Sequence, residues 1–208
     1  MKRPWLGLLW CVCVGAAAQS LRMRERLGVT HHDGEAVLGW DANLWQGTGD
    51  RRWQLRSEGH GNEVTGEGAA WRAVSPWSMA SVGWVYDRQQ ARGRAGLQLG
   101  LAGLLPYRIA MQSGLWLTTQ GDVALRMELE QDVLFTQRLL LQPRVEARAW
   151  TDGRRSAELG LRLRYELRRE IAPYLGVSRQ WDTDVPPGSS SGSAAQGWQV
   201  VVGLRAWF

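Results

Sequence analysis

Few residues in this chain have side chains suited to chemistry. His31 and His32 stand side by side and are followed by Asp33, while His60 lies between Glu58 and Asn62. Adjacent imidazoles with a carboxylate suit a divalent transition-metal ion. Neighbouring side chains of an extended chain point to opposite sides. A site on His31, His32 and Asp33 therefore needs a ligand from another loop, and His60 is the one remaining histidine of the three. The plainer alternative is that all four are solvated loop residues. Met23, Met79, Met111 and Met127 offer thioethers to a softer metal ion, but by strand parity they are read as lipid-facing positions with the leucines. No Ser-His-acid arrangement, phosphate-binding glycine loop, zinc-binding helix or dinucleotide fingerprint stands out. The chain is expected not to be an enzyme.

A larger set is ionic: Arg126, Glu128, Glu130, Arg144, Glu146, Arg148, Glu158, Arg162, Arg164, Glu166, Arg168 and Arg205. On neighbouring strands these would form cross-strand charge pairs. Two roles are open. They can make a polar path or gate whose carboxylates attract a cation. Alternatively they fill and stiffen a narrow lumen, where buried charges must be paired. A packed lattice argues against a wide passive pore.

The elements that carry these charges alternate strictly. From Ala157 to Arg168, Leu159, Leu161, Leu163, Tyr165 and Leu167 fall in one series; Glu158, Gly160, Arg162, Arg164, Glu166 and Arg168 fall in the other. A strand here has one apolar and one charged face. A soluble sheet would turn the apolar face to a core. A transmembrane barrel turns it to lipid and the charges to the lumen. Similar alternation recurs at 21–29, 36–44, 53–58, 77–86, 97–105, 109–117, 123–130, 139–148, 172–181 and 197–208, with a weaker segment at 63–71. This predicts twelve strands, an even number that suits a bacterial barrel with both ends on one side. Ser75-Pro76-Trp77, Leu105-Pro106-Tyr107 and Ala172-Pro173-Tyr174 read as tight turns of one rim. Asp87 to Arg94, Thr151 to Ser156 and Thr183 to Gln196 read as longer polar loops of the other, the last mobile by its Ser/Gly/Pro content.

The chain has 208 residues, enough for one domain. Residues 1–18 read as a secretory leader: Lys2 and Arg3, a short apolar run from Trp5 to Val14, then Ala16-Ala17-Ala18. A lipoprotein reading of Cys11 or Cys13 lacks the small residues expected before the cysteine. Both cysteines of the chain lie in this leader, so residues 19–208 have no disulfide or thiol chemistry. Loss of Lys2 and Arg3 lowers the formal net charge from +5 to +3. The remaining arginines are interleaved with Glu and Asp, a paired lattice rather than a nucleic-acid patch. No window is apolar enough for a membrane helix, which leaves a barrel open. Tryptophan is abundant, 13 against four tyrosines and two phenylalanines. Trp45, Trp53, Trp71, Trp77, Trp116, Trp150, Trp181 and Trp198 sit near strand ends and read as two aromatic girdles at the headgroup levels. Phe208 supplies the terminal aromatic that barrel assembly uses as an address.

The segments G-D-V-A-L-R-M-E-L-E-Q-D-V-L-F-T-Q-R-L-L-L-Q-P-R-V-E-A-R-A (121–149) and E-L-G-L-R-L-R-Y-E-L-R-R-E-I-A-P-Y-L-G-V (158–177) resemble the copper resistance protein B family (CopB/PcoB). The shorter R-R-W-Q-L-R-S-E-G, W-D-A-N-L-W and G-L-R-A-W-F fit the same pattern. The resemblance implies an all-β, up-and-down transmembrane barrel over 19–208 in the outer membrane of a Gram-negative cell. It also implies copper binding or export across that membrane, with copper ions, outer-membrane lipid and periplasmic copper-handling proteins as partners. A monomer that does not bind nucleic acid is expected. Typical members carry a Met- and His-rich segment before the barrel, whereas here Gln19-Ser20 leads directly into the first strand. The competing readings are a small diffusion channel for anionic solutes, drawn by an Arg-lined lumen, and a purely structural barrel.

Overall fold

A computed structural model describes residues 20–32, 35–60, 63–89, 92–168, 170–183 and 197–207. The leader reading of 1–18 and Asp33 lie outside these residues. The strands are β1 (Ser20–His32), β2 (Glu35–Gly47), β3 (Arg51–His60), β4 (Glu63–Ser75), β5 (Ser78–Gln89), β6 (Arg92–Leu105), β7 (Ile109–Thr118), β8 (Val123–Glu130), β9 (Val133–Leu134), β10 (Leu139–Trp150), β11 (Arg155–Tyr165), β12 (Ile171–Asp182) and β13 (Gly197–Trp207). All pairings are antiparallel. β9 continues the line of β8, since both pair with β10, so thirteen segments make twelve staves. β13 pairs with β1 from Arg24↔Trp207 to His31↔Val200, and the sheet closes on itself.

Side-chain parity sets which face is which. On β11, Leu159, Leu161 and Leu163 are 41–48% exposed, while Arg162 and Arg164 between and beside them are 9% and 5% exposed. On β13, Val200, Val202 and Leu204 are exposed while Gln199, Val201 and Arg205 are buried. A soluble sheet buries its leucines; this one displays them and buries its charges, the inside-out pattern of a lipid-facing barrel. Staves such as β10, 12 residues long, suffice to cross a hydrocarbon layer when tilted. Gly176 serves the same arrangement. A Cβ there would lie 2.8 Å from Arg162 Cγ and 2.7 Å from the Leu161 carbonyl, so glycine leaves the lumen side of β12 open to the arginine.

Residue 20 and residue 207 share one rim, here the terminal rim. Its connections are 48–50, 76–77, 106–108, 135–138 and 166–170; the opposite rim has 33–34, 61–62, 90–91, 119–122, 151–154 and 183–196. At the terminal rim the Thr48 hydroxyl donates to Asp50 Oδ1 at 2.8 Å and holds that carboxyl below its ordinary range. Tyr107 and Arg108 sit at φ 63° and 61°, in the left-handed region.

Several expectations need correction. Ala172-Pro173-Tyr174 is no turn: it lies within β12, and the connection falls at 166–170, so β11 ends at Tyr165 rather than Arg168. Pro173 is tolerated there beside the strand's first residues. The stretch Asp87 to Arg94 is mostly strand, with only 90–91 connecting β5 to β6. Asp87 and Arg94 at these ends are buried in the lumen, and such polar positions give the ends the composition of a loop.

Candidate functional site: the lumen lattice

At the middle of the barrel Arg126 on β8 is the hub. Its Nη2 donates to both Glu58 carboxylate oxygens at 2.8 Å, its Nη1 to Glu67 at 3.2 Å, and its Nε lies 3.0 Å from Glu146. Glu128 is 3.7 Å away. Arg56 on β3 reaches Glu128 at 3.1 Å and Asp41 at 3.4 Å, and also pairs with Glu58. Arg144 on β10 meets Glu128 at 2.9 Å and Glu146 at 2.7 Å. Gln98 donates to Glu67 at 3.2 Å. Each of these side chains sits at an inward position of its strand, where an unpaired charge would cost several kcal/mol on the order of a lost buried ion pair.

The register shows how the pairing is built. Some directly opposite Cα partners are like-charged: Arg148 faces Arg126, Glu146 faces Glu128, and Glu158 faces Glu146, whereas Arg144 faces Glu130 and Arg56 faces Glu67. The ion pairs therefore run diagonally between strands, as Arg144 to Glu128 and Arg126 to Glu146, or across the lumen, as Arg126 to Glu58 and Glu67. Long side chains reach their diagonal neighbours readily. Cross-strand pairs on neighbouring strands are thus joined by trans-lumen pairs into a three-dimensional network.

Two further tiers flank the hub. Toward the terminal rim, Gln142 donates to Glu130 at 2.8 Å and Asp132 at 2.7 Å, Arg164 meets Asp132 at 3.2 Å, and Arg205 lies 3.9 Å from Glu130. Toward the opposite rim, Arg148 lies 3.9 Å from Asp87, and Arg94 lies 3.7 Å from Asp122 and 3.5 Å from Asp152. Between the hub and that rim is a vestibule of about 260 Å³, bordered by Asp41, Glu58, Asp87, Arg144, Glu146, Arg148, Glu158, Arg162 and Tyr174. A second void, beside Arg56, Glu67 and Arg126, holds only about 10 Å³, scarcely one water. The vestibule ends on the lattice.

Three of the girdle tryptophans are lumenal instead. Trp71, Trp116 and Trp150 are 3%, 1% and 7% exposed. Trp116 and Trp150 meet edge to face at 5.9 Å, Arg148 stacks 4.8 Å over Trp116, Arg94 4.8 Å over Trp150, and Arg52 5.3 Å over Trp71. Guanidinium planes on indole faces replace part of the water these groups lose. Trp53, Trp77, Trp181 and Trp198 do face outward and are exposed.

Of the sequence-predicted charges, Arg126, Glu128, Arg144 and Glu146 form the hub. Arg148, Glu158 and Arg162 border the vestibule, and Glu130, Arg164 and Arg205 form the lower tier. Glu166 lies past the end of β11, 3.6 Å from Arg164, and Arg168 is exposed at the terminal rim, away from the lumen. Sequence reasoning missed Asp41, Arg56, Glu58, Glu67 and Asp87 as members. Their signal was the same parity: Arg56 and Glu58 alternate with Leu55 and Ser57 as Arg162 and Arg164 do with leucines.

The metal candidates stand apart. The backbone pairs His31 with Ala36, His32 with Glu35, and His60 with Gly39. Three residues of offset and two strand spacings separate His60 from His31 by roughly 14 Å along the sheet. Their side chains lie outside the described residues. Among the described residues, no group of three or more His, Cys, Asp or Glu is arranged to hold a metal ion. The hub carboxylates are turned to guanidinium groups, which does not fit a resident copper centre.

Fold and lumen together define an outer-membrane-type β-barrel with a salt-bridge plug. The NanC porin shares the barrel fold, with a TM-score of 0.58 at 12% identity over 89% of this chain and 98% of that one. Residues 19–208 match the family described as Copper resistance protein B precursor (CopB). Copper resistance protein B of Escherichia coli is 33% identical over 93% of this chain and 71% of its own length. The copper resistance protein B homolog of Pseudomonas syringae pv. tomato (strain ATCC BAA-871 / DC3000) is 30% identical over 85% and 65%. The chain belongs to the copper resistance protein B family.

Proposed function

We propose that the chain, after loss of residues 1–18, sits in the outer membrane as a monomeric, non-catalytic barrel that binds copper or exports it. Periplasmic copper-handling proteins are its partners in this reading, and the terminal rim faces the periplasm. Membership of the copper resistance protein B family supports the copper role. One observation carries the reading of the lumen: Arg126 ties β8 to Glu58, Glu67 and Glu146 on three other strands, where the vestibule ends. Copper traffic through such a barrel requires the lattice to part. The opposite-rim histidines, together with Asp33, are the candidate capture ligands. A resting barrel of this kind passes little current.

The test uses cells lacking the gene, restored with the natural chain or with a His31→Ala/His32→Ala/His60→Ala form. Copper accumulation and survival in copper are read together. The natural chain is expected to restore tolerance and the triple variant to lose most of it. Equal rescue by both would move the capture role from the histidines to the lumen carboxylates. No change in copper handling with either, accompanied by steady anion-selective current, would replace the copper reading with that of a diffusion channel.

A further inference from the structure

The outward face of β11, β12 and β13 is apolar along most of its height, through Leu159, Leu161, Leu163, Leu175, Val177, Val200, Val202 and Leu204. Near the opposite rim it changes. Arg179 occupies the outward series of β12 between Val177 and Trp181, and its Cα partner on β13 is the outward Trp198. Its guanidinium lies 5.0 Å from the Trp181 ring and 5.6 Å from the Trp198 ring. Both indoles are exposed, at 38% and 64%. Arg155, also exposed, lies on the outward parity of β11 farther toward the same rim. From Arg155 to Tyr165, from Ile171 to Trp181 and from Trp198 to Ala206, the outward series of these strands holds no Asp or Glu.

An arginine in the lipid-facing series is costly in hydrocarbon, and the cost falls away at the headgroup level. Two indoles fix that level, since Trp prefers the membrane interface. They also hold the cation in place by stacking, so its ordering is complete before any ligand arrives. What remains at this height, without an acidic neighbour on the face, is a preset cationic fork suited to two oxygens of a phosphate. We infer that Arg179, framed by Trp181 and Trp198 and extended by Arg155, is a docking site for the phosphorylated headgroup of an outer-leaflet glycolipid. The inference rests on the outer-membrane reading above and is independent of copper.

The experiment titrates the folded barrel in detergent with lipid A carrying both phosphates, and with lipid A from which the phosphates have been removed. Retention is read by native mass spectrometry. The natural chain is expected to retain the phosphorylated lipid roughly five-fold better than Arg179→Gln, the gain of one cation at an anionic surface. Arg179→Lys, which keeps the charge without the planar fork, falls between the two, and the dephosphorylated lipid shows no difference between natural chain and variant. Millimolar inorganic phosphate leaves the lipid in place. Equal retention by Arg179→Gln, or equal binding of both lipids, overturns the site; displacement by inorganic phosphate assigns it to free phosphate and overturns the lipid. A heat-modifiable shift on gels checks that each variant is folded, and its absence in the natural chain would instead sink the barrel reading itself.

Discussion

Arg126→Gln is expected to turn a nearly silent barrel into one with steady conductance in planar bilayers, and to lower its stability by about 3–5 kcal/mol. The argument is one of subtraction. Arg126 meets Glu58 on β3, Glu67 on β4, Glu128 beside it on β8 and Glu146 on β10, all within 3.7 Å. Removing its charge leaves these carboxylates with Arg56, Arg144 and Arg148, which already serve Asp41, Glu128, Glu146 and Asp87. The uncompensated carboxylates draw in water and counter-ions. The small void beside Arg126 then joins the vestibule. Arg126→Lys keeps the charge but offers a point donor in place of a planar fork, so an intermediate conductance and stability are expected. Arg168→Gln is the control: an exposed rim residue, expected to change stability by no more than about 0.5 kcal/mol and conductance not at all. A silent Arg126→Gln barrel as stable as its parent would show that the hub neither plugs nor braces the lumen.

Much of this was legible in the sequence because strand parity is a strict code. The series Glu158, Gly160, Arg162, Arg164 against Leu159, Leu161, Leu163 specifies one charged and one apolar face, the pattern of turns and loops favours turning the apolar face to lipid, and the family motifs at 121–149 and 158–177 fall on the most charged staves. Parity does not specify reach. Glu146 is directly opposite Glu128, a repulsive pair on paper, and the ion pairs that relieve it run to residues two positions along or across the lumen. Nothing local in the chain says that Glu58 and Arg126, 68 residues apart, will touch. Ends of strands were legible only in part. Pro173 precedes an aromatic as Pro76 and Pro106 do, yet Ala172 and Tyr174 on either side of it are buried in the lumen, which holds the segment in the sheet. The tryptophans fell to a weaker rule: position near a strand end suggested the interface, while parity, the stronger signal, already placed Trp116 between the outward Leu115 and Leu117.

That distinction leads to the second large effect. Trp116→Ala is expected to cost about 3–5 kcal/mol, against no more than about 1 kcal/mol for Trp53→Ala. Trp116 is 1% exposed and packs with Val85, Ala124 and Trp150, and it carries the Arg148 guanidinium 4.8 Å over its ring. Its removal leaves a lumenal cavity and strips Arg148 of its stacking partner, next to Glu146 and Asp87. Trp53, 72% exposed on the outward side of β3, loses only lipid contact. Urea unfolding from vesicles, followed by the gel shift, reads the stability difference. Brominated lipid, which quenches indoles it touches, reads the geometry. Deleting Trp53 is expected to lower the quenchable share of the fluorescence, and deleting Trp116 to raise it, because one ring faces acyl chains and the other faces the lattice. A fall in the quenchable share with Trp116→Ala would put that ring in lipid and return it to the girdle; a rise, together with the larger loss of stability, makes the indole part of the plug that Arg126 centres.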